Sequence, residues 1–228
     1  MRDTPYKNII SIIPARGGSK GVSRKNIKTL FGKPLIQYTI ETSLTCSQIS
    51  RTIVSTEDPE IKKISMAAGA EVVDRPSHLA MDSTPTEPVI SHVLDSIDTI
   101  PDLIVLLQPT APLRTVSDIE RGLTLLLDRK YDAVMSITEL ESHFHPFWIK
   151  EIIDSEVVSP YGKSESSNRI VECDNYYQRQ LLPSKYYWKN GSIYMFTYES
   201  FKRLGHRYGT KCAPLIIEKE RSINIDTE

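Results

Sequence analysis

Short apolar runs alternate with helix-length amphipathic segments through the first 140 or so residues, and this rhythm leaves few folds open. Asn8 to Pro14 (NIISIIP), Arg51 to Ser55, Glu71 to Val73, Leu103 to Leu107 and Ala133 to Ile137 read as strands by length and β-branching. Between them the pattern predicts four helices. The first runs from Leu35 to Thr45 and is opened by Pro34, where proline's fixed φ suits a helix start. The second runs from the Asp58-Pro59-Glu60 cap to near Gly69, the third from about Glu87 to Ile97, and the fourth from Ser117 to Asp128. Near-continuous apolar strands joined through helices predict an α/β fold: a mostly parallel, Rossmann-like sheet with helices on both faces.

After about residue 140 the alternation stops. Residues 141–190 are rich in Tyr, Ser and Pro and carry no long apolar period, so they read as an excursion that needs a partner to bury it. Gly191 to Phe196 and Pro214 to Ile217 then look like strands returning to the main sheet. A length of 228 residues suits one large domain, expected here over residues 1–228 with an excursion at 140–190 inside it.

Ligands of open α/β sheets sit beyond the carboxyl ends of the strands, so the loops after the strands are the places to look for chemistry. The loop after the first strand, Pro14 to Asn26, combines glycines with Arg16, Lys20, Arg24 and Lys25. Glycines let backbone N–H groups approach a ligand, and four cations within ten residues repel one another unless an anion is present. The pattern suits a phosphate cradle, although it is neither GxxxxGK[ST] nor GxGxxG; a solvated surface loop is the plain alternative. After the fourth strand, Gln108-Pro109-Thr110-Ala111-Pro112-Leu113-Arg114 offers donors from Gln108, Thr110 and Arg114 on a proline-stiffened turn. A polar loop, Asp74-Arg75-Pro76 through Thr86, follows the third strand.

The net charge of −1 excludes a uniformly basic nucleic-acid binder, yet it conceals an asymmetry: residues 1–33 hold eight of the 28 bases and one of the 29 acids. No apolar run approaches the roughly 18 residues a bilayer span requires, and no secretory leader is recognisable, so no membrane partner is expected. Cys46, Cys173 and Cys212 are odd in number and widely spaced, which fits a reducing compartment and a cytoplasmic location. Glu139, Glu141, His143 and His145 alternate as metal ligands on a strand would, but Pro146 ends the run and no cysteine assists. Tyr176, Tyr177, Tyr186 and Tyr187 suit a subunit interface better than base stacking, given the near-neutral charge. The absence of GxSxG leaves nucleophilic hydrolysis without support.

Five ordered motifs, IIPARGGSKGVSRKNIK, RPSHLAMDSTPT, LLQPTAPLR, RQLLP followed by KNGSIY, and the terminal SINIDTE, resemble the CMP-sialic acid synthetases, the acylneuraminate cytidylyltransferases, across essentially the whole chain. The resemblance implies a homodimeric α/β nucleotidyltransferase using CTP, an acidic nine-carbon keto-sugar and Mg²⁺ (or Mn²⁺). The sugar would be sialic acid or a bacterial analogue such as legionaminic acid. It further implies Arg16, Ser19 and Lys25 at the triphosphate, with Arg16 and Lys25 in the catalytic role, and Asn26, Arg75 and Thr86 at the cytidine. Gln108, Thr110 and Tyr194 would face the sugar, joined by Arg179 on a segment donated to the neighbouring subunit; Lys150 is a weaker candidate for a second donated cation.

One departure accompanies the match. Where the family carries Asp-Ile-Asp at its metal, this chain reads Asn224-Ile225-Asp226, so Asn224 offers an amide oxygen but no charge beside Asp226. That substitution, with a chain ending at Glu228 where relatives continue into a helix, raises the expectation of a truncated or catalytically impaired CTP-binding homologue as the alternative. A CMP-Kdo-like synthetase is the nearer rival, disfavoured by SKGVSRKN.

Overall fold

The computed structural model describes residues 6–19, 21–127, 130–153, 156–158 and 178–226. In chain order its elements are β1 (Ile9–Pro14), β2 (Thr29–Leu30), β3 (Lys33–Pro34), α1 (Leu35–Thr45), β4 (Arg51–Thr56), α2 (Pro59–Ala67), β5 (Glu71–Asp74) and α3 (Thr86–Asp95). They continue with β6 (Leu103–Leu107), α4 (Val116–Thr124), β7 (Ala133–Glu139), β8 (Glu151–Ile153), β9 (Glu156–Val158), β10 (Tyr187–Thr197), α5 (Tyr198–Leu204) and β11 (Cys212–Ile216). Two compact units emerge, one of Met1–Ile137 with Lys189–Glu228, the other of Thr138–Trp188.

In the first unit seven strands form one sheet in the order β11-β7-β10-β6-β1-β4-β5. β1 pairs in parallel with β4 and β6, β4 with β5, and β7 with β11, so the expected mostly parallel sheet is present. Strand β10 returns antiparallel against β6, Tyr194 opposite Leu106. Successive side chains of β1 point to opposite faces, which is why a near-continuous apolar run was needed there, its one polar member Ser11 bonding Ser43 Oγ at 2.6 Å. Ile9 and Ile13 join Ile36 and Ile40 of α1, Ile61 of α2 and Ile119 and Leu123 of α4; Ile10 and Ile12 join Ile90 and Val93 of α3 and Phe201 of α5. Helices therefore cover both faces.

Three local features were not read from the sequence. Thr29–Pro34 forms a small hairpin whose two-residue loop, Phe31 and Gly32, takes positive φ at both positions, the twist that matches paired strands. Phe31 rather than Asn or Asp hides that signal. Helix α4 stops at Thr124, four residues before the expected end, because tighter turns take over and drop Leu126 into the core. Strand β10 is eleven residues long where six were expected.

The second unit carries the β8–β9 hairpin and short turns at Ser142–Phe144 and Arg179–Leu181. It overlaps the excursion expected at 140–190. The alternating acid and histidine side chains there are engaged separately: Glu139 with Lys185 at 3.0 Å, Glu141 with His143 at 3.3 Å, and His145, buried, edge-on to Tyr186 at 4.6 Å. Tyr176 and Tyr177 lie outside the described residues. Among the described residues no helix is long and apolar enough to cross a membrane.

Candidate active site

Beyond the carboxyl ends of β1, β5 and β6 the first unit holds a cavity of about 450 Å³. Arg16, Ser19, Lys25 and Asn26 line it from the loop after β1; Arg75, Asp82 and Thr86 from the loop after β5; Gln108 and Thr110 from the turn after β6. Motifs separated by up to 94 residues thus converge on one space, as the topology of a parallel sheet requires.

The loop after β1 is held from beneath by carboxylates. The Gly17 N–H donates to Glu57 Oε1 at 2.7 Å, and a Cβ on Gly17 would stand 2.5 Å from Asp58 Oδ2, so this position requires glycine. Arg24 takes left-handed φ of 52° and pairs with both Asp58, at 3.2 Å, and Glu60, at 2.8 Å. A non-glycine residue there stores strain that these pairs offset. The same Asp58 caps α2 by accepting from the Glu60 and Ile61 amides. Buried Asn26 donates its Nδ2 to the Arg16 carbonyl at 2.9 Å, closing the loop on itself.

Arg75 is buried at the base of the cavity, donating from Nε to Ser55 Oγ at 3.1 Å and from Nη2 to the Ser55 carbonyl at 2.6 Å. Burial pushes this guanidinium below its ordinary range, Glu57 opposes the shift and Arg16 adds to it. Ser55 near the end of β4 and Glu57 just after it were missed in the sequence; the polar STED stretch that closes the strand and leaves it was the available signal.

Arg114, offered by its motif as a ligand donor, is spent internally. It is fully buried, donating to the Gln108 carbonyl at 2.6 Å, the Ser192 carbonyl at 3.0 Å and Thr39 Oγ1 at 3.1 Å. It fastens the turn bearing Gln108 to β10 and α1, and burial pushes its pKa down to about 9.

The C-terminal segment reaches the cavity through its own ties. Asp118, at the capping box of α4, pairs with Arg221; Ser222 Oγ accepts from Asn190 at 3.1 Å; and the Ile225 N–H donates to the Thr110 carbonyl at 2.8 Å. Asn224 consequently lies beside Thr110, its Oδ1 3.4 Å from Thr110 Oγ1 and its Nδ2 donating to the Asn190 carbonyl at 2.5 Å. Asp226 Oδ1 accepts from Lys25 Nζ at 2.9 Å.

One expected sugar contact is spent in the core. Tyr194 does not line this cavity; its ring is 3% exposed, with the Arg207 guanidinium 4.8 Å from its centroid, and burial raises its phenol. Arg207 pairs in turn with Glu87, which follows cavity-lining Thr86. Arg179 begins an exposed turn of the second unit, and Lys150 is likewise an exposed residue of that unit. Lys20 lies outside the described residues.

The expected repulsion among the cations of the β1 loop is absent for a specific reason. Arg16 pairs with Asp82 at 2.7 Å, Arg24 with Asp58 and Glu60, and Lys25 with Asp226, so each described cation already has a carboxylate.

A mostly parallel sheet, helices on both faces and a cationic glycine-bearing loop past β1 together define an α/β nucleotidyltransferase-like fold. Comparison narrows this: the chain belongs to the cytidylyltransferase family, whose model matches residues 10–197. It is 33% identical over 222 residues to an N-acylneuraminate cytidylyltransferase of Escherichia coli, covering 96% of this chain and 49% of that protein. It is 29% identical over 229 residues to the CMP-N,N'-diacetyllegionaminic acid synthase of Legionella pneumophila, covering 96% of this chain and 91% of that one. The chain therefore spans about half the length of the N-acylneuraminate cytidylyltransferases it matches and nine tenths of the Legionella relative. Among solved structures, a CMP:2-keto-3-deoxy-manno-octonic acid synthetase complexed with CTP shares the fold at a TM-score of 0.69 and 18% identity, covering 96% of this chain and 93% of that one.

Proposed function

We propose that the chain joins CTP to a nonulosonic acid, sialic acid or an analogue such as legionaminic acid, giving the CMP-sugar and pyrophosphate. The observation that carries the reading is the convergence of Arg16, Lys25, Asn26, Arg75 and Thr86 on one cavity in a chain of this family. The names of its relatives supply the sugar class.

In this reading the anomeric hydroxyl oxygen attacks the α-phosphorus, a new O–P bond forms, the bond to the β-phosphate breaks, and the hydroxyl proton passes to solvent. Such transfers need positioning and neutralisation of developing charge more than covalent help. Arg16 and Lys25 supply cationic donors to the triphosphate, with Ser19 beside them. Asn26, Arg75 and Thr86 hold the cytidine, while Gln108 and Thr110 face the sugar.

Among the described residues no group of three or more His, Cys, Asp or Glu side chains could hold a metal alone. The donors present fit Mg²⁺ (or Mn²⁺) bound mainly by nucleotide phosphates, with the largely exposed Asp226 carboxylate as protein ligand and the Asn224 amide oxygen alongside. A divalent cation there would neutralise charge on the departing pyrophosphate.

The second unit is read as a dimerisation arm carrying Arg179 to the neighbouring site, and the cytoplasm as the location, supported by Cys46 and Cys212 being free thiols. The test is pyrophosphate release from CTP and Mg²⁺ across a panel of nonulosonic acids and Kdo. Turnover with a nonulosonic acid is expected. CTP binding without turnover on any sugar would favour the impaired homologue instead, and turnover confined to Kdo would move the substrate.

A further inference from the structure

Arg16 and Asp82 both line the cavity, from different loops, and their side chains meet across it at 2.7 Å. The turns around Asp82 are closed from within: the Ala80 N–H donates to the Ser77 carbonyl at 3.0 Å, the Thr84 N–H to the Met81 carbonyl at 3.1 Å, and Thr84 Oγ1 to the His78 carbonyl at 3.3 Å. The carboxylate thus projects from a locally braced segment onto a cation of the β1 loop. A carboxylate and a phosphate present the same chemistry to a guanidinium, two acceptor oxygens matching its forked donors. A phosphate ligand that uses Arg16 and the Asp82 carboxylate compete for the same donors, and at that range they repel.

We propose that Asp82 sets the selectivity of the cavity for polyphosphate: it occupies Arg16 as a stand-in phosphate and yields only to a multiply charged ligand. The pair neutralises Arg16 when no ligand is bound. A weakly charged anion gains too little at Arg16 to replace an intramolecular carboxylate. A triphosphate, gaining at Lys25 as well, replaces it.

The inference deepens the proposed function and rests on reading the cavity as a CTP site, so the experiment separates the two. Dissociation constants for CTP, pyrophosphate and cytidine are measured calorimetrically on the wild-type chain and on Asp82→Asn, at low and high salt. If the wild-type chain does not bind CTP, the functional reading fails. Given wild-type binding, Asp82→Asn is expected to tighten CTP and pyrophosphate about two- to fivefold, the range an exposed ion pair carries. Cytidine, which has no phosphate, is expected to bind unchanged, and the gain for CTP is expected to shrink at high salt. In an Arg16→Gln background the Asp82→Asn gain should vanish. Unchanged or weaker CTP binding in Asp82→Asn, equal tightening of cytidine, or a gain that survives Arg16→Gln each overturns the proposal.

Discussion

Lys25 Nζ and Asp226 Oδ1 stand 2.9 Å apart, joining a cation of the β1 loop to a carboxylate 201 residues later. The Lys25 side chain is largely buried and that of Asp226 is 68% exposed, so the carboxylate sits where solvent, a cation or a phosphate can reach it. Its removal is expected to leave the fold alone and impair metal use. Asp226→Asn should raise the Mg²⁺ concentration for half-maximal turnover by at least about tenfold while the thermal midpoint stays near that of the wild type. An unaltered Mg²⁺ titration would remove Asp226 from the metal.

Asn224→Asp adds a second carboxylate beside Asp226 but forfeits a donor. Asn224 Nδ2 now donates to the Asn190 carbonyl, and an aspartate would set two acceptors against each other there. The variant is expected to lose about 1–3 kcal/mol of stability in EDTA and to recover part of it with Mg²⁺ and CTP. It should also need less Mg²⁺ for activity. Should the Mg²⁺ titration match the wild type, Asn224 has no part at the cation.

Gly17 and Gly18 are adjacent yet should respond differently. A methyl on Gly17 collides with the Asp58 carboxylate that also holds Arg24 and caps α2, whereas a methyl on Gly18 meets nothing within 4 Å. Gly17→Ala is expected to weaken CTP binding by about tenfold or more, a shift of roughly 1.4 kcal/mol, and Gly18→Ala to leave it within about twofold. Equal effects in a side-by-side titration would contradict the bracing of this loop from beneath.

Arg114→Met should be among the most damaging single changes. It removes three hydrogen bonds at once, to the Gln108 and Ser192 carbonyls and the Thr39 hydroxyl, at a cost of about 3 kcal/mol or more. Urea unfolding measures this directly, and a midpoint like that of the wild type would show that the three bonds carry no net stability.

Acidification should loosen the segment that bears Asn224 and Asp226. Burial pushes the Asp118 carboxyl up, but Arg221 and the Thr115 amide and hydroxyl outweigh that and hold it below its ordinary range. A depressed carboxyl contributes stability that is fully present above the unfolded pKa of about 3.9 and is lost as pH falls through the folded value. Asp118→Ala should therefore cost about 2–3 kcal/mol at pH 7, and the difference from the wild type should narrow as pH falls through the depressed folded value of Asp118. A difference independent of pH would assign the loss to packing alone.

Much of this protein was legible in its linear pattern, and the residues show why. Ile9 to Pro14 and Leu103 to Leu107 needed no context, since continuous or near-continuous apolar runs alternating with helices have few places to go but a two-sided parallel sheet. Strand ends of such a sheet gather the following loops, so the loops bearing Arg16, Lys25, Arg75 and Gln108 were candidates from topology, while the roles of these residues in one site were implied by the family resemblance. Local pattern could not reveal which charges meet. Arg16 with Asp82, Arg24 with Asp58 and Glu60, and Lys25 with Asp226 are contacts between distant loops, and pairing turned an apparently repelling cluster into a neutralised one. Arg114 and Tyr194 carry the same chemistry whether they face a ligand or the core. Burial between the elements that close over them decided their place, because only the packed structure determines which donors reach water or ligand and which satisfy the backbone.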